Sequence, residues 1–311
     1  MPYDMSKPVS VCVVMSTYNG ENYVEEQIDS ILTQKSVKVD LYIRDDGSKD
    51  KTVAVIEAIA KKHTNVHIAK GENIGYARSF LSLLKSISGF DYYAFADQDD
   101  VWMPDKLFEA TNMLHLKGNP AKDCLCYWCN LELVDAALTT IDNMVAAKES
   151  DFIKERYLID KYGYGCTMVF SSALKERATK TLPAPNITHD NWVGLTSVFL
   201  GIPIYDSRIF IKYRQHANNV VGGNNSLAGT WKRRLKNLNK IKSFSRAEVA
   251  EELIRCYSDE LQQKDMELLN MVANYKDNFH NKLVFFFDKS TKRASFEKNM
   301  LFRIEILLSL A

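Results

Sequence analysis

Three carboxylates crowd one short stretch, Asp97-Gln98-Asp99-Asp100, directly after the apolar run Tyr92-Tyr93-Ala94-Phe95-Ala96 and before Met103-Pro104-Asp105-Lys106-Leu107, which reads as a helix start. In an open α/β sheet, ligands bind at the carboxyl ends of strands and in the loops after them. Oxygen donors concentrated there suit a hard divalent cation, Mg2+ or Mn2+, which in turn bridges phosphate oxygens. Asp97 and Asp99 are two apart, so in an extended strand end their side chains point the same way. The competing reading is a solvated acidic loop that caps the next helix.

The elements that would position these residues follow from hydrophobic pattern. Val9 to Met15 is a continuous apolar run, expected of a strand covered on both faces, and it ends in the polar turn Ser16-Thr17-Tyr18-Asn19-Gly20. A helix is predicted from about Tyr23 to Thr33, a strand over Asp40 to Arg44, and a turn at Asp45-Asp46-Gly47-Ser48-Lys49-Asp50. A helix from Thr52 to Lys62, a strand at Val66 to Ala69, the loop Gly71 to Gly75 and a helix from Tyr76 to Ile87 complete the pattern. Strand, loop and helix alternate to about Gly118, which predicts a doubly wound parallel sheet. Beyond it, strands are expected at Cys124 to Leu133, Thr167 to Phe170 and Pro203 to Tyr213, with helices near Phe152 to Lys161, Ser172 to Lys180 and Asn191 to Leu200.

Length and composition allow one substantial α/β domain with a smaller appendage: 311 residues, 46% hydrophobic and 25% charged. A net charge of +1 gives no global field toward nucleic acid or membrane, so any such attraction must be local. Five of the six cysteines lie in or beside apolar runs, which predicts buried reduced thiols and a cytoplasmic setting. Cys124, Cys126 and Cys129 lack a matching Cys/His pair downstream and read as strand residues rather than zinc ligands. No signal-like apolar stretch opens the chain and no window approaches the ~20 apolar residues of a membrane span.

Taken together, Val11 to Gly20, the Asp45 to Asp50 loop, Asn73-Ile74-Gly75 with Arg78, and Asp97 to Asp100 resemble the family 2 glycosyltransferases, over about residues 8 to 220. Ala96 to Trp102 with His189-Asp190-Asn191-Trp192 and Tyr213-Arg214-Gln215-His216 is most similar to the rhamnosyltransferase-type branch. The resemblance implies an inverting enzyme of the GT-A fold, an α/β architecture with a Rossmann-like, mostly parallel central sheet flanked by helices. With the composition change near Gly222 to Asn225, this predicts a catalytic domain over 1–225, with a nucleotide-sugar half (about 8–118) and an acceptor half (about 119–225), and a basic, mostly helical extension over 226–311.

Physical reasons stand beside each residue the resemblance selects. Thr17 and Tyr18 follow the first strand, where the Tyr18 ring can stack on a flat pyrimidine, and Asp46 at the neighbouring strand end can accept the base's imide N–H. Asp45 and Asp50 suit turn and cap roles as readily as a ligand role. Asn73 and Gly75 bring backbone close to a ligand, and Arg78, a turn into the helix, could pair with a diphosphate oxygen, although alone it would read as a surface arginine. By resemblance Asp99 is the direct metal ligand, Asp97 holds ribose hydroxyls or a metal-bound water, and Gln98 lies with them on the donor side. Asp190 matches the catalytic base of an inverting transfer, with helix capping as the plain alternative. His189 replaces the family's usual acid and could share in acceptor binding. His216 matches a late Arg-x-His element that completes the metal shell or touches the diphosphate. Gly165 in Tyr162-Gly163-Tyr164-Gly165 and Trp192 could form an acceptor platform, core packing being an equal explanation for Trp192.

From Thr230 to Arg246 seven cations occur without an acid, interleaved with Trp231, Leu235, Leu238, Ile241 and Phe244, after a boundary near Gly222 to Asn225. This stretch could lie on an anionic membrane or form a solvated basic helix; nucleic-acid binding is disfavoured. The expectation is a metal-dependent (Mn2+ or Mg2+) transfer from a nucleoside diphosphate sugar, dTDP-L-rhamnose ahead of UDP-hexoses, to a cell-surface polysaccharide or lipid-linked glycan, by a cytoplasmic protein at or near the membrane. Two alternatives remain open: a non-catalytic sugar-nucleotide-binding or scaffold subunit of a synthase complex, and a nucleotidyltransferase. The latter would normally carry a glycine-rich basic loop after the first strand, which Ser16 to Glu21 lacks.

Overall fold

Strand β1 (Ser10–Thr17) buries Val11 through Met15 without a break because helices cover both of its faces. The computed structural model, which describes residues 8–144, 147–160, 162–215, 245–293 and 296–309, continues the alternation with α1 (Val24–Leu32), β2 (Lys38–Asp45), α2 (Thr52–Ala60), β3 (Val66–Lys70), α3 (Tyr76–Ser86) and β4 (Tyr92–Ala96). β1 pairs in parallel with β2 and β4, and β2 with β3. Then follow β5 (Val101–Trp102), α4 (Lys106–His115), β6 (Leu125–Val134), β7 (Thr140–Met144), α5 (Lys154–Ile159), β8 (Met168–Ser171), α6 (Ser172–Lys180), α7 (His189–Leu200) and β9 (Ile202–Arg214). The sheet order is β3-β2-β1-β4-β8-β6-β9-β5, with β7 paired to β6.

Alternation along the strands splits the interior in two. Val11, Val13 and Met15 pack with Ile28 of α1, Ile56 of α2 and Leu107 of α4, whereas Cys12 and Val14 pack with Phe80 of α3, Leu174 of α6 and Val193 of α7. All six cysteines are free thiols; the five expected in core runs are buried, and burial pushes the Cys129 thiol up to about 12.

Two strands and one pairing pattern lie beyond what periodicity predicts. β5 is only two residues long and forms because Val101 and Trp102 pair antiparallel with Lys212 and Ile211, which ties the chain after the acidic loop to the far edge of the sheet. β7 is a polar hairpin partner of β6. β8 runs antiparallel between β4 and β6, so the second half of the sheet is mixed. The helix expected over 152–161 is an α-helix only at Lys154–Ile159, and α7 starts two residues earlier than expected.

The chain resumes in α8 (Arg246–Tyr257), α9 (Gln263–Ala273), α10 (Phe279–Phe287) and α11 (Phe296–Leu307). α8 opens on a reciprocal Ser245–Glu248 capping box. Its Val249 and Leu253 enter the same buried cluster as α7, and Tyr257 stacks on Trp192 at 5.5 Å. Among the described residues no helix is long and apolar enough to cross a membrane. His216, the 222–225 boundary and the cations from 232 to 242 lie outside the described residues.

Candidate active site

Register fixes where the site forms. Thr17 pairs with Asp45 and Met15 with Ala96, so the carboxyl ends of β1, β2 and β4 finish side by side and their loops face one cleft of about 600 Å³. Thr17, Tyr18, Asp46, Asn73, Gly75, Asp97, Gln98, Asp99, Gly165, His189 and Asp190, all singled out from sequence, line it. The volume lies within the roughly 300–1,000 Å³ of small-molecule sites.

Hydrogen bonds between the loops align the strand ends. The Tyr18 N–H donates to Gln98 Oε1 at 2.9 Å and Gln98 Nε2 donates to the Tyr18 carbonyl at 3.1 Å, so this amide clamps two loops together. Gly20 makes room for it: a Cβ there would collide with Gln98 Oε1. Asn19, in the left-handed region at φ 50°, accepts the Lys49 N–H and donates its own N–H to Ser48. Asp45 is a turn residue, accepting from the N–H groups of Gly47 and Ser48 and from the Thr17 and Ser48 hydroxyls. Asp50 caps the following turn by accepting from Thr52 N–H at 3.0 Å.

Asp46 is 98% buried yet reaches the cleft. Its Oδ1 accepts from Arg44 and from the Ile74 N–H, and its Oδ2 from the Gly75 N–H at 2.9 Å. A carboxylate oxygen accepts about two hydrogen bonds, so Oδ2 keeps capacity for one ligand donor. Gly75, at φ 81°, opens α3 in a conformation that a β-carbon would strain. Arg44, which sequence analysis passed over, pairs with Asp46 behind the cleft, and Arg78 donates to the Pro183 carbonyl; neither arginine lines the cleft. The Tyr18 ring is half exposed at the cleft edge.

The acidic loop divides by burial. Asp100 is buried, its Oδ1 accepts the Arg214 N–H at 3.1 Å, and its Oδ2 has no hydrogen-bond partner among the described residues. Burial, then the charges of Asp97 and Asp99, hold its carboxyl well above the usual range. The donor atoms of Asp97, Asp100 and Cys166 lie within 4.8 Å of one another, and Asp99 is outside that group although it lines the cleft. The carboxylates of Asp97 and Asp100 fit a hard divalent cation; the Cys166 thiol, soft and kept protonated by burial, does not, and it had no signal in sequence beyond its burial. Lys106 is fully buried nearby, its ammonium 3.2 Å from the Trp102 ring centre and desolvated enough to be pushed down to about 8. Arg214 holds the loop from below. It donates from Nε to the Asp99 carbonyl at 2.9 Å and from its other nitrogens to the Ala136 carbonyl and Glu26, with its guanidinium over Tyr23.

Asp190 occupies the first turn of α7, facing the loops of β1 and β4 across the cleft. Thr188, not Asp190, is the N-cap; Asp190 Oδ1 accepts from the Thr188 hydroxyl at 2.6 Å and the Asn191 N–H at 2.8 Å, which fixes its rotamer. His189 is stacked on Phe80 at 3.9 Å and edge-on to Phe95 at 4.6 Å. Gly165 lies against both: a Cβ there would sit 3.1 Å from Asp190 Cβ and from His189 Nε2. Trp192 is the correction. It is fully buried, donates to the Ala178 carbonyl and lines no part of the cleft, because its position one turn into α7 faces the core. Aromatic surface in the cleft comes instead from Tyr18, Tyr23, Tyr76, Phe80, Tyr164 and Tyr213, most of them scattered singly through the sequence.

Comparisons with known proteins identify the family and the fold. RfbG of Shigella flexneri, a dTDP-rhamnosyl transferase, is 30% identical over 233 residues, 70% of this chain and 77% of that protein. The fold is that of TarS 1–349 from S. aureus, solved with UDP-GlcNAc, at a TM-score of 0.60 and 15% identity, covering 97% of this chain and 80% of that one. It is also that of the mannosyltransferase PcManGT from Pyrobaculum calidifontis, solved with GDP-Man and Mn2+, at a TM-score of 0.51 and 15% identity over 99% of this chain and 88% of that one. These are GT-A structures, and the profile of the family described as Glycosyl transferase family 2 matches residues 12–176. The chain belongs to the family 2 glycosyltransferases.

Proposed function

We propose that the cleft holds a pyrimidine nucleoside diphosphate sugar, with dTDP-L-rhamnose ahead of UDP-hexoses, and transfers the sugar with inversion to a cell-surface polysaccharide or its lipid-linked precursor. The observation that carries this reading is the convergence of Tyr18, Asp46, Asp97, Asp99 and Asp190 on one cleft of about 600 Å³. The exposed Tyr18 ring offers a stacking face for the base and Asp46 Oδ2 accepts its imide N–H. The relation to RfbG supports the donor assignment.

Asp97 and Asp99 at the cleft, with the buried Asp100 carboxyl next to Asp97, would hold a Mn2+ or Mg2+ ion through oxygen atoms. When bound, such an ion neutralises charge that develops on the departing diphosphate. On the opposite side, Asp190 accepts the proton of the acceptor hydroxyl as its oxygen attacks the anomeric carbon from the face away from the leaving group. Its hydrogen bonds to Thr188 and the Asn191 N–H hold the carboxylate still during that transfer. His189 and Gly165 line the acceptor side, and the fixed ring of His189 walls off that end.

Thermal shifts with dTDP, UDP and GDP, each with and without Mn2+, test the reading, since a ligand at 100 times its Kd stabilises by about 2.7 kcal/mol. The pyrimidine nucleotides are expected to raise Tm, more so with Mn2+; stabilisation by GDP alone overturns the base assignment. Asp190→Asn is expected to keep donor binding and lose transfer by about 10²–10⁴-fold. Normal transfer by that variant removes Asp190 from the role.

A further inference from the structure

Helices α10 and α11 are apolar on two opposite sides. Phe285, Phe302 and Ile306 are fully buried, with Phe285 edge-on to Phe302 at 5.6 Å and packed against Tyr275 at 5.3 Å. The outward sides carry Phe279 (70% exposed), Phe287 (69%), Met300 (55%) and Leu308 (62%), with Val284, Ile304 and Leu307 also exposed. Met300, Ile304, Leu307 and Leu308 recur at i, i+4, i+7 and i+8 and so form one stripe. Seven of the fifteen large apolar side chains exposed among the described residues fall between 279 and 308. Isolated surface hydrophobes need no explanation, but a cluster of this kind marks an interaction surface.

Charge around the stripe is net positive: residues 276–308 carry seven lysines and arginines against four carboxylates. Lys282, Lys289 and Lys292 make no ion pair among the described residues. Glu305 is paired with Arg293, whereas Asp288, which accepts from Ser290 and Thr291, keeps its charge. We propose that α10, residues 288–293 and α11 form a docking surface for an anionic lipid bilayer, the apolar side chains entering the interface and the lysines meeting phosphate headgroups. A second copy fits less well, because a two-fold contact would set lysine against lysine.

Co-sedimentation of the full chain with vesicles of phosphatidylcholine, alone or mixed with phosphatidylglycerol, tests the assignment. Binding is expected to the mixed vesicles only and to weaken with salt. Phe287→Ser with Ile304→Ser should abolish it, and Lys289→Gln or Lys292→Gln should each weaken it about fivefold. Because these side chains are exposed, melting and the nucleotide-induced shift should stay at parent values, which separates a failed surface from a failed donor site. Equal pelleting of parent and the Phe287/Ile304 variant overturns the proposal. So does a dimer in analytical ultracentrifugation that the same variant dissolves, or binding lost only on neutralising the cations between 232 and 242.

Discussion

Replacing Gly165 with alanine tests how tightly Asp190 is placed. The added Cβ would stand 3.1 Å from Asp190 Cβ and from His189 Nε2. Carbon contacts settle at about 3.5–4.0 Å, so roughly half an ångström must be found. Neither neighbour yields easily: His189 is wedged between Phe80 and Phe95, and Asp190 is fixed by the Thr188 hydroxyl and the Asn191 N–H. The start of α7 must therefore move. Overpacking of this kind costs about 1–3 kcal/mol of stability. If a displacement of about 1 Å costs about 10² in rate, half of that costs about tenfold in kcat. The assay is steady-state transfer alongside calorimetric donor binding, with donor Kd expected at the parent value. Turnover within about a factor of two of the parent refutes the argument that Asp190 must sit where it does. A change confined to acceptor KM would mean instead that the methyl group fills acceptor space.

Three further perturbations probe the parts that hold the cleft in shape. Gln98→Ala removes both bonds to the Tyr18 backbone; about 1 kcal/mol of stability and about tenfold in donor affinity should be lost, and an unchanged donor Kd would show that the loops align without the clamp. Arg214→Lys cannot reproduce a fork that reaches the Asp99 carbonyl, the Ala136 carbonyl and Glu26 together, so a loss of about 2 kcal/mol in denaturant unfolding is expected, with weaker Mn2+-dependent donor binding. Lys106 has a folded pKa of about 8, below its ordinary 10.5, so the unfolded chain binds the extra proton between those values. Its burial therefore opposes folding below pH 8 and is relieved as the pH rises to about 10.5. The stability difference between the parent and Lys106→Met should accordingly shift in the parent's favour by about 3 kcal/mol across that window, and a difference flat with pH would show that the buried amine does not titrate there.

Sequence by itself determined the local features. Apolar runs and turn residues placed β1 to β4 and the helices between them, because period and punctuation are written into neighbouring positions. The strands these runs predict end at Thr17, Asp45 and Ala96, directly before Tyr18, Asp46 and Asp97, so the strand ends of a parallel sheet were legible as a site before any pairing was known. Only tertiary structure decided which residues face that site. Trp192 differs from Tyr76 in what packs against it: the one is buried in the core and the other lines the cleft. β5, Cys166 and the Gln98 clamp join positions 66 to 111 residues apart in sequence, and no local pattern encodes such partners. Burial likewise separates Asp100 from Asp99: adjacent identical side chains acquire different chemistry because one is closed off against the Arg214 backbone N–H and the other lines the cleft.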